Sequence, residues 1–218
     1  MRLFVAVVPP APVRDHLERA LSSVRSARGD GERPAWRWAP PGDRHVTLAF
    51  FGEVSAGAGE ELAGGLVRIG TDHPRFDLRL RGAGVFDRRI LWIGCGGDVR
   101  SLGALTASCV DLGQSVTGRP DHRVRSRAHL TVARVAGRAR SRDHGRSRGR
   151  GGSTDPADLA ALTRALAVYE GPTWQVTEVV LVSSRPGAGK GGGPAYEPLL
   201  GFALAGSEQQ ARGAVVAG

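Results

Sequence analysis

The sequence predicts an α+β fold of two lobes, with two antiparallel sheets and flanking helices around a central cleft. Two observations carry this. The phrase His45-Val46-Thr47-Leu48-Ala49 returns downstream as His129-Leu130-Thr131-Val132-Ala133. The elements around the copies also repeat coarsely: strand, helix, His/Thr strand and helix, then hairpin strands, helix, His/Thr strand, helix and closing strands. Strands gathered in groups, with helices set to one side, suit an α+β layer architecture in which each lobe lends one His strand to a shared cleft. A chain of 218 residues with 41% hydrophobic content is long enough to bury the core this needs.

Each element has a local reason. The run over 3–8 is a core strand, stopped by Pro9-Pro10. From about 12 to 28, Leu17, Leu21 and Val24 recur at helical spacing, and Gly29-Asp30-Gly31 ends that helix. Trp36-Arg37-Trp38 is a short strand. Pro40-Pro41-Gly42 then turns the chain into the first His/Thr strand, which Gly52 closes. A helix over 59–70 buries Leu62, Leu66 and Ile69, although Gly64-Gly65 opposes it. Residues 76–85 alternate apolar and polar as a half-buried strand. Asp87-Arg88-Arg89 folds this strand back on the apolar run 90–95. A third helix over 99–115 turns Leu102, Leu105, Cys109 and Leu112 inward, and the second His/Thr strand follows. A fourth helix over 156–169 has Asp155 as its cap and Pro156 at its first position. Strands over 174–184 and 201–204 complete a single domain of residues 1–204. The tail 205–218 is expected to fray.

Composition bounds the function classes. The formal charge is +9, which favours polyanionic partners. Cys95 and Cys109 form neither a disulfide framework nor a zinc spacing, and they read as reduced thiols of a cytosolic protein. The apolar N-terminus lacks a small-residue cleavage site. No run approaches the roughly 18 apolar residues of a membrane helix, so a soluble, cytoplasmic protein is expected. Residues 136–154 mix arginine with Ser and Gly and cannot bury apolar area, so they are expected to be a disordered loop. That loop is either an arm for RNA phosphates or an expansion tolerated because it is exposed.

The repeated phrase carries the chemistry. On a strand, His and the Thr two residues on share one face, while the intervening apolar residues face the core. Two imidazoles can divide the acid and base roles at neutral pH. Phosphodiester cleavage without a metal needs that division: His45 and His129 move protons, while Thr47 and Thr131 donate hydrogen bonds to phosphoryl oxygens without adding a titrating group. Arg134 lies five residues after His129, on the opposite parity of a regular strand. A bulge would bring its fork round to stabilise phosphoryl charge. Arg44 and Arg127 flank the His strands; they either add positive potential to the site or are ordinary solvated surface charge, and the second reading is favoured.

Competing motifs fail. Residues 185–191 resemble a nucleotide loop, but Ser184 stands where its first glycine belongs. Gly191 stands where Ser or Thr would hold magnesium. These residues read as a flexible turn between strands. No His, Cys or carboxylate cluster has zinc spacing. His16, His73, His122 and His144 have no partner pattern.

With both phrases in view, the chain resembles the two-histidine (2H) phosphoesterase superfamily, and more narrowly the bacterial RNA 2′,3′-cyclic phosphodiesterases once named 2′-5′ RNA ligases. The likeness runs through Met1–Val7, His45–Gly52, Leu91–Gly94, His129–Arg134, Val180–Pro186 and Tyr196–Leu199. It departs from the family at Ala128, where proline is usual, and in the long arginine-rich loop and the tail. The resemblance implies a monomeric LigT-like enzyme with no cofactor and no metal. Such an enzyme hydrolyses RNA 2′,3′-cyclic phosphate ends to 2′-phosphates and reversibly joins 2′-5′ linkages in vitro. It implies His45 and His129 as acid and base, with the assignment open, and Thr47, Thr131 and Arg134 as phosphate ligands. Two alternatives stay open at this level: an RNA-end-binding accessory protein without turnover, and a relative acting on a small cyclic nucleotide.

Overall fold

A computed structural model describes residues 1–26, 36–120, 127–135, 156–189 and 192–206. Strand β1 (Arg2–Val7) leads into α1 (Ala11–Ser26). The short β2 (Trp36–Trp38) and a 3-10 turn at Pro41–Asp43 precede β3 (Val46–Glu53), which carries the first phrase into α2 (Ala56–Asp72). The hairpin of β4 (Phe76–Phe86) and β5 (Ile90–Gly97) is followed by α3 (Val99–Thr117) and by β6 (His129–Val135), which bears the second phrase. Then come α4 (Pro156–Ala167), β7 (Trp174–Val176), β8 (Glu178–Arg185) and β9 (Ala195–Ala203).

The named strands pair antiparallel in the order β7-β4-β5-β6-β3-β1-β8-β9, with β2 also on β6. The two expected sheets are two halves of this path. They are joined between β3 and β6 by one pair, Val46 opposite Leu130. The helices cross between the halves. α1, which follows β1, packs against α4 and so lies over the β4 half. α3, which follows the β4–β5 hairpin, returns to cover β3 beside α2. Leu17, Leu21, Leu62, Leu66, Leu102, Leu105, Val46 and Leu130 all belong to one buried cluster, so the halves share a core.

Several boundaries differ from expectation, each for a physical reason. α2 begins at Ala56, because the Ser55 hydroxyl accepts a hydrogen bond from the Ala58 amide at 3.3 Å and caps the helix. Gly65 is tolerated because α3 crosses there: a Cβ would lie 2.3 Å from Leu112 Cδ1. The single strand expected over 174–184 is two strands, since the chain leaves β4 after Val176 and joins β1 from β8. β9 begins at Ala195 rather than near 201. Pro198 disguised it, and the sheet admits that proline because β9 is an edge strand whose register against β8 shifts there. Ala205 is buried and its amide reaches Gly70 O at 2.9 Å, so the folded chain passes residue 204. The loop expected over 136–154, the tail beyond 206, His122, His144, Asp155 and Lys190 lie outside the described residues. No described helix is long and apolar enough to cross a membrane. Burial pushes both cysteine thiols up to about 12.

Arg44 corrects the reading of a surface charge. It is 1% exposed. Its Nε donates to Ala39 O at 3.1 Å and its Nη2 to Glu18 on α1. Burial pushes the Glu18 carboxyl up, yet the hydrogen bonds from Arg25 and Arg44 outweigh this and hold it below the ordinary value. This ion pair ties the turn before His45 to a helix of the other half. Arg127, by contrast, is exposed.

Two stability outcomes follow from this packing. A Cβ at Gly70 would stand 2.4 Å from the Ala203 carbonyl oxygen, whereas one at Gly64 meets nothing within 4 Å. Gly64→Ala should therefore stabilise by up to about 1 kcal/mol, while Gly70→Ala should destabilise by about 1–3 kcal/mol despite the same gain in helix propensity. Urea unfolding of both variants measures the difference. Arg44→Ala should cost about 3 kcal/mol, the low end for breaking a buried pair because Arg25 still serves Glu18. Arg44→Met, which keeps the volume, should cost less in the same assay.

Candidate active site

The concave side of the sheet holds an open cavity of about 1090 Å³. Its walls include His45, Thr47, His129, Thr131 and Arg134, so all five candidate residues meet in one cleft. The strand faces explain why. Val46 and Leu130 are fully buried on the helix side, which turns their neighbours in the sequence to the other face. The Val46–Leu130 pair is a local two-fold centre. Counting antiparallel from it, His45 falls opposite Thr131 and Thr47 falls opposite His129. Each histidine thus has one threonine on its own strand and another across the gap.

Both copies also contain the same irregularity. Against β1, Ala6 faces Thr47 while Val5 faces Ala49, which leaves Leu48 as an extra residue. Against β5, Trp92 faces Thr131 while Leu91 faces Ala133, which leaves Val132 extra. Each bulge lies three residues after its histidine, and each switches the strand's parity. Leu48 and Ala49 are consecutively buried, as are Val132 and Ala133. The residue five places after the histidine then returns to the cleft: Phe50 in the first copy, Arg134 in the second.

The imidazoles are oriented alike. His45 Nδ1 lies 2.8 Å from Asp43 O, and His129 Nδ1 lies 2.9 Å from Arg127 O. A carbonyl only accepts, so both Nδ1 atoms donate. In the neutral ring the lone pair is therefore on Nε2. Their surroundings differ. The His45 ring lies between Phe4, at 4.7 Å between centroids, and the edge of Tyr196, at 5.0 Å. His129 packs against Phe86 at 4.8 Å and Trp92 at 6.1 Å. Burial between the aromatic rings lowers the His45 pKa to about 4. The Asp43 carbonyl bond opposes that shift, and the positive charges of Arg134 and His129 reinforce it.

The described cleft lining carries three arginines, Arg2, Arg37 and Arg134, against one carboxylate, Asp43. Arg37 on β2 sits directly opposite Arg134 on β6. Arg134 has no ion-pair partner among the described residues. Such a wall favours an anion. Among the described residues, no three His, Cys, Asp or Glu side chains gather as a metal site. The remaining wall comes from the β8–β9 connection, including Pro186, Gly187 and Pro194. The sequence reading did not select Arg2, Phe4, Arg37, Phe50 or Tyr196. Only Arg2 and Phe4 had a usable pattern, since alternation along β1 places both on one face. The others reach the cleft through a bulge, a short third strand and an edge strand hidden by proline.

Comparison with known proteins follows the same lines. The family described as LigT like Phosphoesterase matches residues 7–92, which span the first His/Thr phrase but end before the second. The RNA 2′,3′-cyclic phosphodiesterase of Thermus thermophilus is 30% identical over 225 residues, covering 98% of this chain and 96% of that protein. The Aeropyrum pernix protein of the same name is 33% identical over 97 residues, 43% of this chain and 53% of the relative. Among solved structures, TT0787 of Thermus thermophilus superposes with a TM-score of 0.65 at 25% identity, covering 95% of this chain and all of that one. E. coli LigT in apo form gives 0.64 at 25% identity, over 93% and 96% of the two chains. A full-length relative at this identity and a shared α+β fold extend the match past the second phrase, and on that ground the chain belongs to the LigT-like phosphoesterase family.

Proposed function

We propose that the protein is a phosphodiesterase that opens the 2′,3′-cyclic phosphate at an RNA end to a 2′-phosphate, with His45 as base and His129 as acid. The single observation that carries this reading is the array about Val46–Leu130: two oriented imidazoles and two threonines around one point, with the Arg134 guanidinium on the same wall. The relatives named for that activity support the substrate class.

The division of labour rests on the different surroundings of the two rings. His45 is held neutral, with its Nε2 lone pair open to the cleft, which suits it to take a proton from water. The water oxygen attacks phosphorus, the P–O3′ bond breaks, and His129 Nε2 gives its proton to the departing O3′. Throughout, both Nδ1 atoms keep their protons and donate them in hydrogen bonds to the Asp43 and Arg127 carbonyls. Thr47, Thr131 and Arg134 donate to the non-bridging oxygens, where negative charge builds. If a 5′-hydroxyl replaces water, the same steps form a P–O5′ bond and a 2′-5′ linkage, so limited ligation belongs to the same machinery.

His45→Ala and His129→Ala should each lower kcat on a 2′,3′-cyclic nucleotide by about 10²–10⁴-fold, with EDTA harmless to the wild type. Full activity in either variant would falsify the paired mechanism. The pH dependence tests the assignment. A base whose folded pKa is depressed from 6.5 to about 4 stays competent as pH falls through 6. The acid limb of kcat/KM, which reports the free enzyme, should therefore lie near pH 4. The same depression makes the native state bind fewer protons than the unfolded chain between those values. Stability should accordingly fall as pH drops from about 6.5 towards 4, and His45→Asn should flatten that slope. Arg134→Gln removes one of the causes and should move the limb upward. An acid limb at 6.5 in the wild type would reassign the base.

A further inference from the structure

The two copies of the phrase place different residues at the position the bulge returns to the cleft. In the second copy it is Arg134. In the first it is Phe50, and a cation stands over it: the Arg2 guanidinium from β1 lies 4.7 Å from the Phe50 ring centroid. Arg2 lines the same cavity as the histidines. Glu53 is opposite Arg2 in the β1–β3 register, but its carboxylate faces the Met1 amino group at 3.8 Å, and Arg2 has no ion-pair partner among the described residues. The cleft therefore carries Arg134 at the returning position of the second copy, and Arg2, from the neighbouring strand, over the Phe50 ring at the returning position of the first.

Distance separates their roles. Arg134 extends from the same strand as its threonine. Arg2 instead stands on the neighbouring strand, four residues along β1 from Ala6, the partner of Thr47, about 13 Å of strand. Its guanidinium is held over Phe50. A phosphoryl group held by the central threonines is within about 3 Å of its donors, so it does not also touch Arg2. One face of Phe50 is covered by Arg2, and the ring packs against Phe4. A ligand arriving there meets the guanidinium fork, preorganised by the ring beneath it, rather than an open stacking platform.

Resting on the phosphodiesterase reading, we propose that Arg2, held over Phe50, is a second phosphate-binding position. It takes the phosphodiester upstream of the reacting cyclic group, so the enzyme selects oligonucleotide ends over mononucleotides. The test compares a 2′,3′-cyclic mononucleotide with a trinucleotide ending in the same cyclic phosphate, using wild type, Arg2→Gln and Arg2→Lys. Arg2→Gln should lower the trinucleotide-to-mononucleotide ratio of kcat/KM about tenfold, the size of one charged contact. The loss should appear in KM rather than kcat, and Arg2→Lys should recover most of it. The slope of log KM against log salt for the trinucleotide should fall by about 0.7, one released counterion on a single strand. An unchanged ratio overturns the proposal. So does an equal loss on both substrates, which would put Arg2 at the reacting phosphate or in folding. If the wild type turns over neither substrate, the phosphodiesterase reading fails. Anisotropy binding of a trinucleotide 3′-phosphate to wild type and Arg2→Gln then still decides the Arg2 site by the same tenfold criterion.

Discussion

One antiparallel contact, Val46 against Leu130, organises this molecule. Among the described residues it is the one register pair between β3 and β6, both side chains are fully buried, and the two halves of the sheet meet there. Because the pair is buried towards the helices, the residues beside it must face the other way, and those residues are the histidines and threonines. A polar side chain at either position would face a core with no partner for it, at a cost of several kcal/mol by transfer scales. The contact thus fixes the separation of the halves and the face on which the two imidazoles stand. Helices that cross from one half to the other tie the halves together around it.

A symmetric frame becomes an asymmetric site through its second layer. Both imidazoles donate Nδ1 to a carbonyl two residues earlier, so their orientation is a property of the repeated phrase. Their protonation is not. Phe4 and Tyr196 pack against the His45 ring and desolvate it in part, while Arg134 and His129 add positive charge near it. Desolvation and like charge act in the same direction, and one backbone hydrogen bond does not offset them. The difference between the copies that begins with Phe50 and Arg134 ends, at the first imidazole, as a pKa lowered to about 4.

The cleft concentrates cations with little acid nearby, and the counter-charge is placed behind it. Glu18 pairs with both Arg44 and Arg25 on the far side of the turn that precedes His45. Buried Arg44 therefore stiffens the approach to His45 and does not line the cleft. Arg2, Arg37 and Arg134 face the open side. Splitting cations between structural and ligand-facing duties lets one small fold keep a positive cleft and still pack its back.

Much of this was legible in the chain. The His/Thr phrases, the β4–β5 hairpin and the apolar stripes of α1 to α3 follow from local period and breakers, because face and burial along one element are set by backbone geometry alone. Other features depend on neighbours that sequence spacing does not name. Arg134 reads as facing away from its histidine until β5 imposes a bulge at Val132. Arg44 reads as exposed until α1 brings Glu18 to it, and β9 is hidden until its edge position makes Pro198 harmless. The sequence by itself determined two histidines, each with a threonine partner on an apolar-backed strand. Only the tertiary structure decided that they face each other across a two-fold and that burial lowers the pKa of the first, because desolvation and pairing depend on groups that are distant in sequence and adjacent in space.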